Sequence, residues 1–155
     1  MDDFENFELF MKKALEQAVI AGNIDEAPVG CVIVKNNEII ASGYNRRESD
    51  QNAVSHAEIT AISAACKKTG FWRLEGCDLY VTLEPCPMCA GAIINARIRR
   101  VFFGAPDYKS GAFGSVVDLA SYPFNHKPEV RGGILANESA CILSGFFKEL
   151  RLRSR

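Results

Sequence analysis

The chain has 155 residues, of which 48% are hydrophobic and 24% are charged, with 12 Gly and 6 Pro. This length suits one domain, and the composition is typical of a globular protein, which excludes disordered and fibrous classes. The N-terminus is acidic, and no apolar run approaches the ~18 residues of a membrane span. We therefore expect a single domain over residues 1–155, located in the cytoplasm and without a membrane partner.

Charge is distributed unevenly along the chain, whose formal net charge is -1. Residues 1–58 contain 5 Lys or Arg against 11 Asp or Glu, whereas residues 59–155 contain 13 against 8. The pI near 6.1 argues against a protein that coats nucleic acid non-specifically. The positive second half allows a local anionic partner, although charge alone favours a solvated surface.

Apolar periodicity predicts the first elements. Apolar residues recur at helical spacing from Phe4 to Ala18, and Gly22 follows as a C-terminal stop. Two β-rich runs, residues 29–34 and 39–44, are separated by four polar residues, a pattern typical of a β-hairpin.

The middle of the chain alternates between strands and helices. We predict helices over residues 57–68 and 87–96, and strands over residues 79–83 and 100–103. Such alternation favours parallel pairing with helices on the faces of the sheet. The expected fold is therefore an α/β protein, a three-layer α/β/α sandwich with an antiparallel hairpin at one side.

The last third of the chain contains a long connection and a final helix. Residues 105–128 have an irregular pattern, and connections of this length are usually functional or disordered; here we favour a function. Asn137 is the predicted cap of a helix that carries Ala140, Leu143 and Phe147 on one apolar stripe.

Two cysteines, Cys86 and Cys89, lie at the predicted start of the helix over residues 87–96. Residues at i and i+3 share one helix face, and the amide dipoles of a helix N-terminus favour thiolates, the form that binds metal. Zinc requires a further ligand, and imidazole supplies it. The candidates are His56, which has Glu58 two residues later, and His126, which we interpret as an ordinary loop residue.

Three protein ligands would leave the fourth tetrahedral position of zinc for water, whose pKa zinc lowers to about 7. A carboxylate beside the metal can move the proton of such a water, and Glu58 is the candidate. Residues i and i+2 diverge by about 200° on a regular helix, so His56 and Glu58 can converge only in an irregular first turn. We therefore expect this motif at the start of a helix.

The other four cysteines allow an alternative, a structural zinc site closed by a fourth protein ligand. None of them forms a second Cys-x-x-Cys pair, and all four are predicted to be buried small apolar residues: Cys31, Cys66, Cys77 and Cys141. Disulfides are not expected in a cytosolic chain of this size.

The pairing of His-x-Glu at residues 56–58 with Pro-Cys-x-x-Cys at residues 85–89 resembles the signature of the zinc nucleobase deaminases. The likeness extends to residues 28–30, 43–46 and 104–115, which are similar to the bacterial tRNA-specific adenosine deaminases of the cytidine/deoxycytidylate deaminase superfamily. The resemblance implies a cytidine deaminase-like fold with a mixed five-stranded sheet, one Zn²⁺ per chain, and a homodimer.

The same resemblance implies the activity, the hydrolytic deamination of adenosine to inosine at the wobble position of a tRNA anticodon. Zinc would be bound by His56, Cys86 and Cys89, and Glu58 would protonate the ring nitrogen and then the departing ammonia. Further implied contacts to the base or to the anticodon stem-loop involve five residues: Asn45, Ala57, Asp107, Lys109 and Phe147. For the last three, a loop cap, a solvated lysine and a core residue are equally good interpretations.

A second interpretation is a deaminase of a free nucleobase or nucleoside, of the guanine or cytosine type, because such relatives share the zinc motif. The zinc motif does not distinguish a deaminase of tRNA from a deaminase of a free nucleobase or nucleoside. Residues 82–84 before the cysteine motif and 109–112 after it are more similar to the tRNA enzymes. They favour an RNA substrate.

Overall fold

The computed structural model describes residues 3–154, with side chains described from residue 6 onward. It contains four α-helices, five strands and a short 3₁₀-helix over Leu119–Ser121. In chain order these are α1 (Asp3–Asn23), β1 (Gly30–Lys35), β2 (Glu38–Tyr44), α2 (Ala57–Thr69), β3 (Cys77–Leu83), α3 (Pro87–Asn95), β4 (Arg100–Ala105), β5 (Glu129–Arg131) and α4 (Ala136–Arg153).

The five strands form one mixed sheet in the order β2-β1-β3-β4-β5. β1 is antiparallel to both of its neighbours, while β3 pairs in parallel with β4, and β4 with β5. The predicted mixed sheet and its hairpin are confirmed. The alternation of strands and helices predicted that successive strands pair in parallel. Among β2, β3 and β4 this holds only for β3 and β4, because β1 lies between β2 and β3. The sequence pattern did not predict β5, which has only three residues.

Side chains of the central strands alternate between two apolar layers. On one face Cys31, Ile33 and Leu79 pack with the alanines of α2 and with Ile93 of α3. On the other face the second cluster joins α1 to the sheet through Phe7, Phe10, Met11, Ala14, Val32, Val34, Tyr80 and Phe102. α4 contacts β4 on this sheet. The three-layer α/β/α arrangement is confirmed; the side chain of Phe4, predicted for the α1 stripe, lies outside the described residues.

Close approach between a helix and a strand fixes the start of α2 against the sheet. A Cβ atom added to Gly43 of β2 would lie 2.5 Å from the carbonyl oxygen of Ala57 and 2.8 Å from the amide nitrogen of Ala61. Only glycine permits this separation. The first turn of α2 is therefore held directly on β2, at the edge of the sheet where the predicted motif lies.

Two helix ends test the sequence-based boundaries. α2 ends at Thr69, one residue beyond the predicted 57–68, and is followed by Gly70, whose φ of 79° is left-handed and whose amide donates to the carbonyl of Cys66. The predicted cap Asn137 is wrong, because α4 already begins at Ala136, after Leu135. Backbone hydrogen bonds to β4 fix this turn, including that from Ile134 N to Phe103 O, and no side-chain cap is formed.

All six cysteines are free. Cys31 and Cys77 are buried as predicted, but Cys66 is half-buried and Cys141 is exposed on α4, so the expectation of burial is wrong for Cys141. α4 is covered by the sheet on one side only, and position 141 lies on the other. Within residues 3–154, no helix combines the length and the apolarity needed to cross a membrane.

Candidate active site

Two helix starts meet at one edge of the sheet and bring together three side chains that could hold a metal ion. His56 precedes α2 with extended backbone angles (φ -78°, ψ 157°), and Cys86 precedes α3 in a similar conformation. Cys89 lies in the first turn of α3. The Nδ1 atom of His56 is 3.7 Å from Sγ of Cys86 and 3.5 Å from Sγ of Cys89.

These separations match a tetrahedral zinc site. With Zn–N near 2.0–2.1 Å and Zn–S near 2.3 Å, tetrahedral angles place a nitrogen and a sulfur ligand about 3.6 Å apart. Among the described residues, His56, Cys86 and Cys89 form the one group of three potential metal ligands whose ligand atoms all lie within 4.8 Å of one another. No fourth cysteine joins them, so the cluster has the three-ligand form of catalytic zinc sites.

One of the two cysteines of the cluster, Cys86, has a pKa that favours the metal-binding form. A hydrogen bond with Cys89 lowers the pKa of Cys86 to about 4, and the neighbouring His56 ring acts in the same direction. The same hydrogen bond, followed by burial, raises the pKa of Cys89. Cys86 therefore favours the thiolate form, which is the form that binds metal and is stabilised at a helix N-terminus.

Glu58 is the second residue of α2 and is 4% exposed. Burial raises the pKa of this carboxyl group. Because His56 stands before the helix in extended conformation, both side chains line one pocket despite their i, i+2 spacing. The expectation that the motif lies at a helix start is confirmed.

The pocket beside the cluster has a volume of about 190 Å³ and is open to solvent. Three predicted substrate contacts, Asn45, Ala57 and Asp107, line it together with His56 and Cys86 of the cluster. The side chain of Asn45 is 8% exposed; its Nδ2 donates to the carbonyl of Ala27, and its Oδ1 accepts from the amide of Arg47.

Two further predicted contacts do not line this pocket. Lys109 is exposed and donates its backbone amide to Oδ1 of Asp107. Phe147 lies on α4 and is 43% exposed, which excludes its interpretation as a core residue. Both remain on the surface, where a larger substrate could reach them.

Sequence reasoning missed two buried acidic residues beside the pocket. Glu84 follows β3, lines the pocket and is 2% exposed, and Glu26 precedes β1 and is 1% exposed. For Glu84 the sequence offered a signal, because this acidic residue directly follows the apolar strand predicted over residues 79–83. Both carboxylates accept backbone hydrogen bonds from loops that line the pocket.

Comparison with known proteins agrees with this chemistry. Residues 4–105 match the family described as the cytidine and deoxycytidylate deaminase zinc-binding region. The chain belongs to this deaminase family. The deaminase has zinc as its cofactor, with His56, Cys86 and Cys89 as the cluster that fits the ion.

Individual relatives resemble the deaminase over most of its length. The tRNA-specific adenosine deaminase of Bacillus subtilis is 49% identical over 149 residues, which cover 96% of this chain and 92% of the relative. A structure solved in work on A-to-I editing by tRNA:A34 deaminases at the wobble position of transfer RNA is 49% identical, with a TM-score of 0.84. It covers 86% of this chain and 98% of that one.

A more distant likeness concerns a deaminase of another substrate. The guanine deaminase of Bacillus subtilis is 34% identical and has a TM-score of 0.62, with coverage of 76% of this chain and 86% of that one. Identity, coverage and structural similarity are all lower than for the tRNA enzymes.

Proposed function

We propose that the deaminase hydrolyses adenosine to inosine, with release of ammonia, at the wobble position of a tRNA anticodon. The observation that carries this proposal is the 49% identity with a tRNA-specific adenosine deaminase over 96% of this chain. That likeness extends beyond the zinc motif to the loop after β4 and to α4, where a macromolecular substrate would be contacted.

The first part of the proposed mechanism concerns the three metal ligands. His56, Cys86 and Cys89 would hold one Zn²⁺ beside the pocket. When bound, zinc would supply Lewis-acid chemistry that lowers the pKa of a water molecule to about 7. The geometry of the three side chains, with nitrogen–sulfur separations of 3.5 and 3.7 Å, supports this assignment.

Glu58 is proposed to move the protons. Its carboxylate accepts a proton from the attacking water and delivers it to the ring nitrogen adjacent to C6 of adenine. A second proton transfer through the same group lets nitrogen leave as ammonia, while the water oxygen remains on C6 as the carbonyl of inosine. The burial of Glu58, which raises its pKa, suits a group that must both accept and release a proton.

Other pocket residues are proposed to orient the base. Asn45 is held by its contacts with Ala27 and Arg47, and it offers its remaining amide hydrogen and oxygen lone pair to the purine. The amide of Ala57 contacts the substrate beside the metal. Both residues line the pocket, which supports these roles.

The RNA is proposed to bind as an anticodon stem-loop, with Asp107, Lys109 and Phe147 in contact with it. Anticodon loops present unpaired bases, so inserting one into the pocket costs little unstacking. The exposed positions of Lys109 and Phe147 support contact with nucleotides that flank the reacting base. An aromatic ring on the surface can stack on such a base.

A homodimer is also proposed. An apolar groove between α2 and α3 is lined by Ile59, Ile62, Trp72 and Ala92, and Trp72 is 55% exposed. A second copy of the chain would cover this groove. Sedimentation should then give twice the 17.0 kDa of one chain, and a 17.0 kDa particle would contradict the proposal.

Two earlier expectations remain predictions, the location in the cytoplasm and the extent of one deaminase domain over residues 1–155. The described elements all pack on one sheet, which supports the second.

The substrate assay compares RNA with free bases. The purified zinc protein is offered an anticodon stem-loop with adenosine at the wobble position, the same loop with cytidine there, and free guanine, cytosine and adenosine. We expect inosine and ammonia from the adenosine stem-loop and slow reaction of the free compounds, which lack the flanking contacts that position the base. Faster turnover of a free base would replace the tRNA substrate with a small molecule and leave the zinc chemistry intact.

A further inference from the structure

We propose that the buried carboxylates of Glu26 and Glu84 are positioning residues for RNA, each holding one of the two loops that line the pocket. The 45–52 loop carries Asn45 and Arg47, and the 106–117 loop carries Asp107 and Ser110. This inference rests on the proposed RNA substrate, because the loops lie where nucleotides flanking the reacting base would bind.

Glu84 is the centre around which the 106–117 loop folds. Its Oε1 accepts from the amide of Asp107 at 3.1 Å and from the hydroxyl of Ser115 at 2.5 Å. Its Oε2 accepts from the amides of Phe113 and Ser115, each at 3.1 Å. Four donors from one loop therefore converge on a single carboxylate, which is 2% exposed.

The loop backbone also lies directly on this carboxylate. A Cβ atom added to Gly111 would lie 2.3 Å from Oε2 of Glu84 and 2.5 Å from the carbonyl oxygen of Asp107. Asp107 in turn accepts from the amides of Lys109 and Ser110 and from the Ser110 hydroxyl. Glu84 therefore holds the backbone of Asp107 at the pocket through a direct hydrogen bond of 3.1 Å.

Glu26 has the same relation to the 45–52 loop. It is 1% exposed, and its two oxygens accept from the amides of Glu48 at 2.9 Å and Ser49 at 3.2 Å. The preceding residues Asn45 and Arg47 line the pocket. Both loops are therefore fastened to buried carboxylates.

The physical consequence is a loop that stays ordered before substrate binds. A buried carboxylate without partners is costly, so loss of the loop amides would leave each charge unsatisfied. The loops are therefore held in one geometry, and a flanking nucleotide meets preformed contacts. A displacement of about 1 Å in positioning groups can cost about a hundredfold in rate.

Asp78, a buried carboxylate of β3, provides a matched control. It lies near the start of β3, whereas Glu84 follows its end. Its partners are the guanidinium groups of Arg99 and Arg100, and it does not line the active-site pocket. Removing its charge perturbs a buried carboxylate without touching either loop.

The experiment measures KM and kcat for the wobble-adenosine stem-loop in Glu84→Gln, Glu26→Gln and Asp78→Asn, with zinc content and thermal unfolding in parallel. Glutamine keeps the size of glutamate but turns an amide NH₂ toward backbone donors. We expect KM to rise about tenfold or more in both glutamine variants, consistent with losing hydrogen bonds to a charged group. We expect a smaller change in kcat and full zinc content. Asp78→Asn should lower the unfolding temperature and leave KM unchanged.

A milder variant covers the case in which Glu84→Gln fails to fold. Ser115→Ala removes one of the four hydrogen bonds and should raise KM by a smaller factor. The positioning role would be overturned if the folded Glu26, Glu84 and Ser115 variants kept the wild-type KM and lost only stability, as expected for Asp78→Asn.

Amide exchange separates this inference from the proposed function. If the wild-type enzyme does not deaminate the stem-loop, the proposed function fails. The amides of Asp107, Phe113 and Ser115 are still expected to exchange faster in Glu84→Gln than in wild type. Unchanged exchange would overturn the positioning role whatever the substrate.

Discussion

Replacing Glu58 with glutamine separates metal binding from proton transfer. Glutamine has the same shape as glutamate, and Glu58 is not among the three ligand side chains that cluster within 4.8 Å. A neutral amide costs less to bury than a carboxylate, and position 58 is only 4% exposed. The variant should therefore fold, bind zinc with full stoichiometry and unfold at a temperature no lower than that of the wild type.

The expected loss of activity follows from the two proton transfers that are proposed for Glu58. A positioned acid or base contributes about 10²- to 10⁴-fold to the rate of one proton transfer. Glu58 transfers a proton first to the ring and then to the leaving nitrogen, so we expect kcat to fall by about 10⁴-fold or more. A 10⁴-fold loss corresponds to about 5.4 kcal/mol of transition-state stabilisation.

The assay follows inosine formation at saturating concentrations of a wobble-adenosine stem-loop under steady-state conditions, with zinc measured by elemental analysis. Cys86→Ser, which removes a ligand, is the comparison variant. Activity of Glu58→Gln within a few-fold of wild type, at full zinc content, would refute the assignment of proton transfer to Glu58.

Three further changes test separate parts of the structure. Cys86→Ser should lose most of its zinc in elemental analysis, because a hydroxyl does not ionise as a thiol does, and full stoichiometry would argue against Cys86 as a ligand. Gly43→Ala should reduce the free energy of unfolding in urea by about 1–3 kcal/mol, because its Cβ would meet the Ala57 carbonyl. No loss would mean that α2 moves freely on β2. Removing residues 151–155 should flatten the dependence of log K for RNA on log salt by about 1.4, which is about 0.7 for each of two arginines, because Arg153 already pairs with acidic residues. An unchanged slope would place the phosphates elsewhere.

The chemistry of the site was predictable because it depends on short motifs with strong geometric constraints. His56 and Glu58 are two residues apart, and a regular helix would have pointed them in different directions. That conflict predicted an extended residue followed by a helix start, which the structure contains. The Pro-Cys-x-x-Cys motif similarly predicted the start of α3, where proline costs no hydrogen bond.

Features set by distant parts of the chain were not predictable. β5 has only three residues, and it is defined by its parallel pairing with β4. Asn137 has good capping chemistry, but the start of α4 is fixed by backbone bonds to β4 instead. The partners of Glu26 and Glu84 lie 22 to 31 residues away along the chain, beyond any local pattern.

The roles of the substrate contacts remain predictions. Asn45, Ala57 and Asp107 line the pocket, where a bound base would meet them. Lys109 and Phe147 lie outside it, so their contribution depends on the size of the substrate. Only a substrate with flanking nucleotides can test them.

Sequencing of a complete tRNA transcript after incubation with the zinc-loaded protein tests the central claim most directly. The transcript carries adenosine at the wobble position and further adenosines elsewhere in the anticodon loop and in the stems. Inosine is read as guanosine after reverse transcription, so every adenosine is scored in one experiment. Conversion at the wobble position alone, abolished in Glu58→Gln, is the predicted result. No conversion at that position, or equal conversion of other loop adenosines, would contradict it.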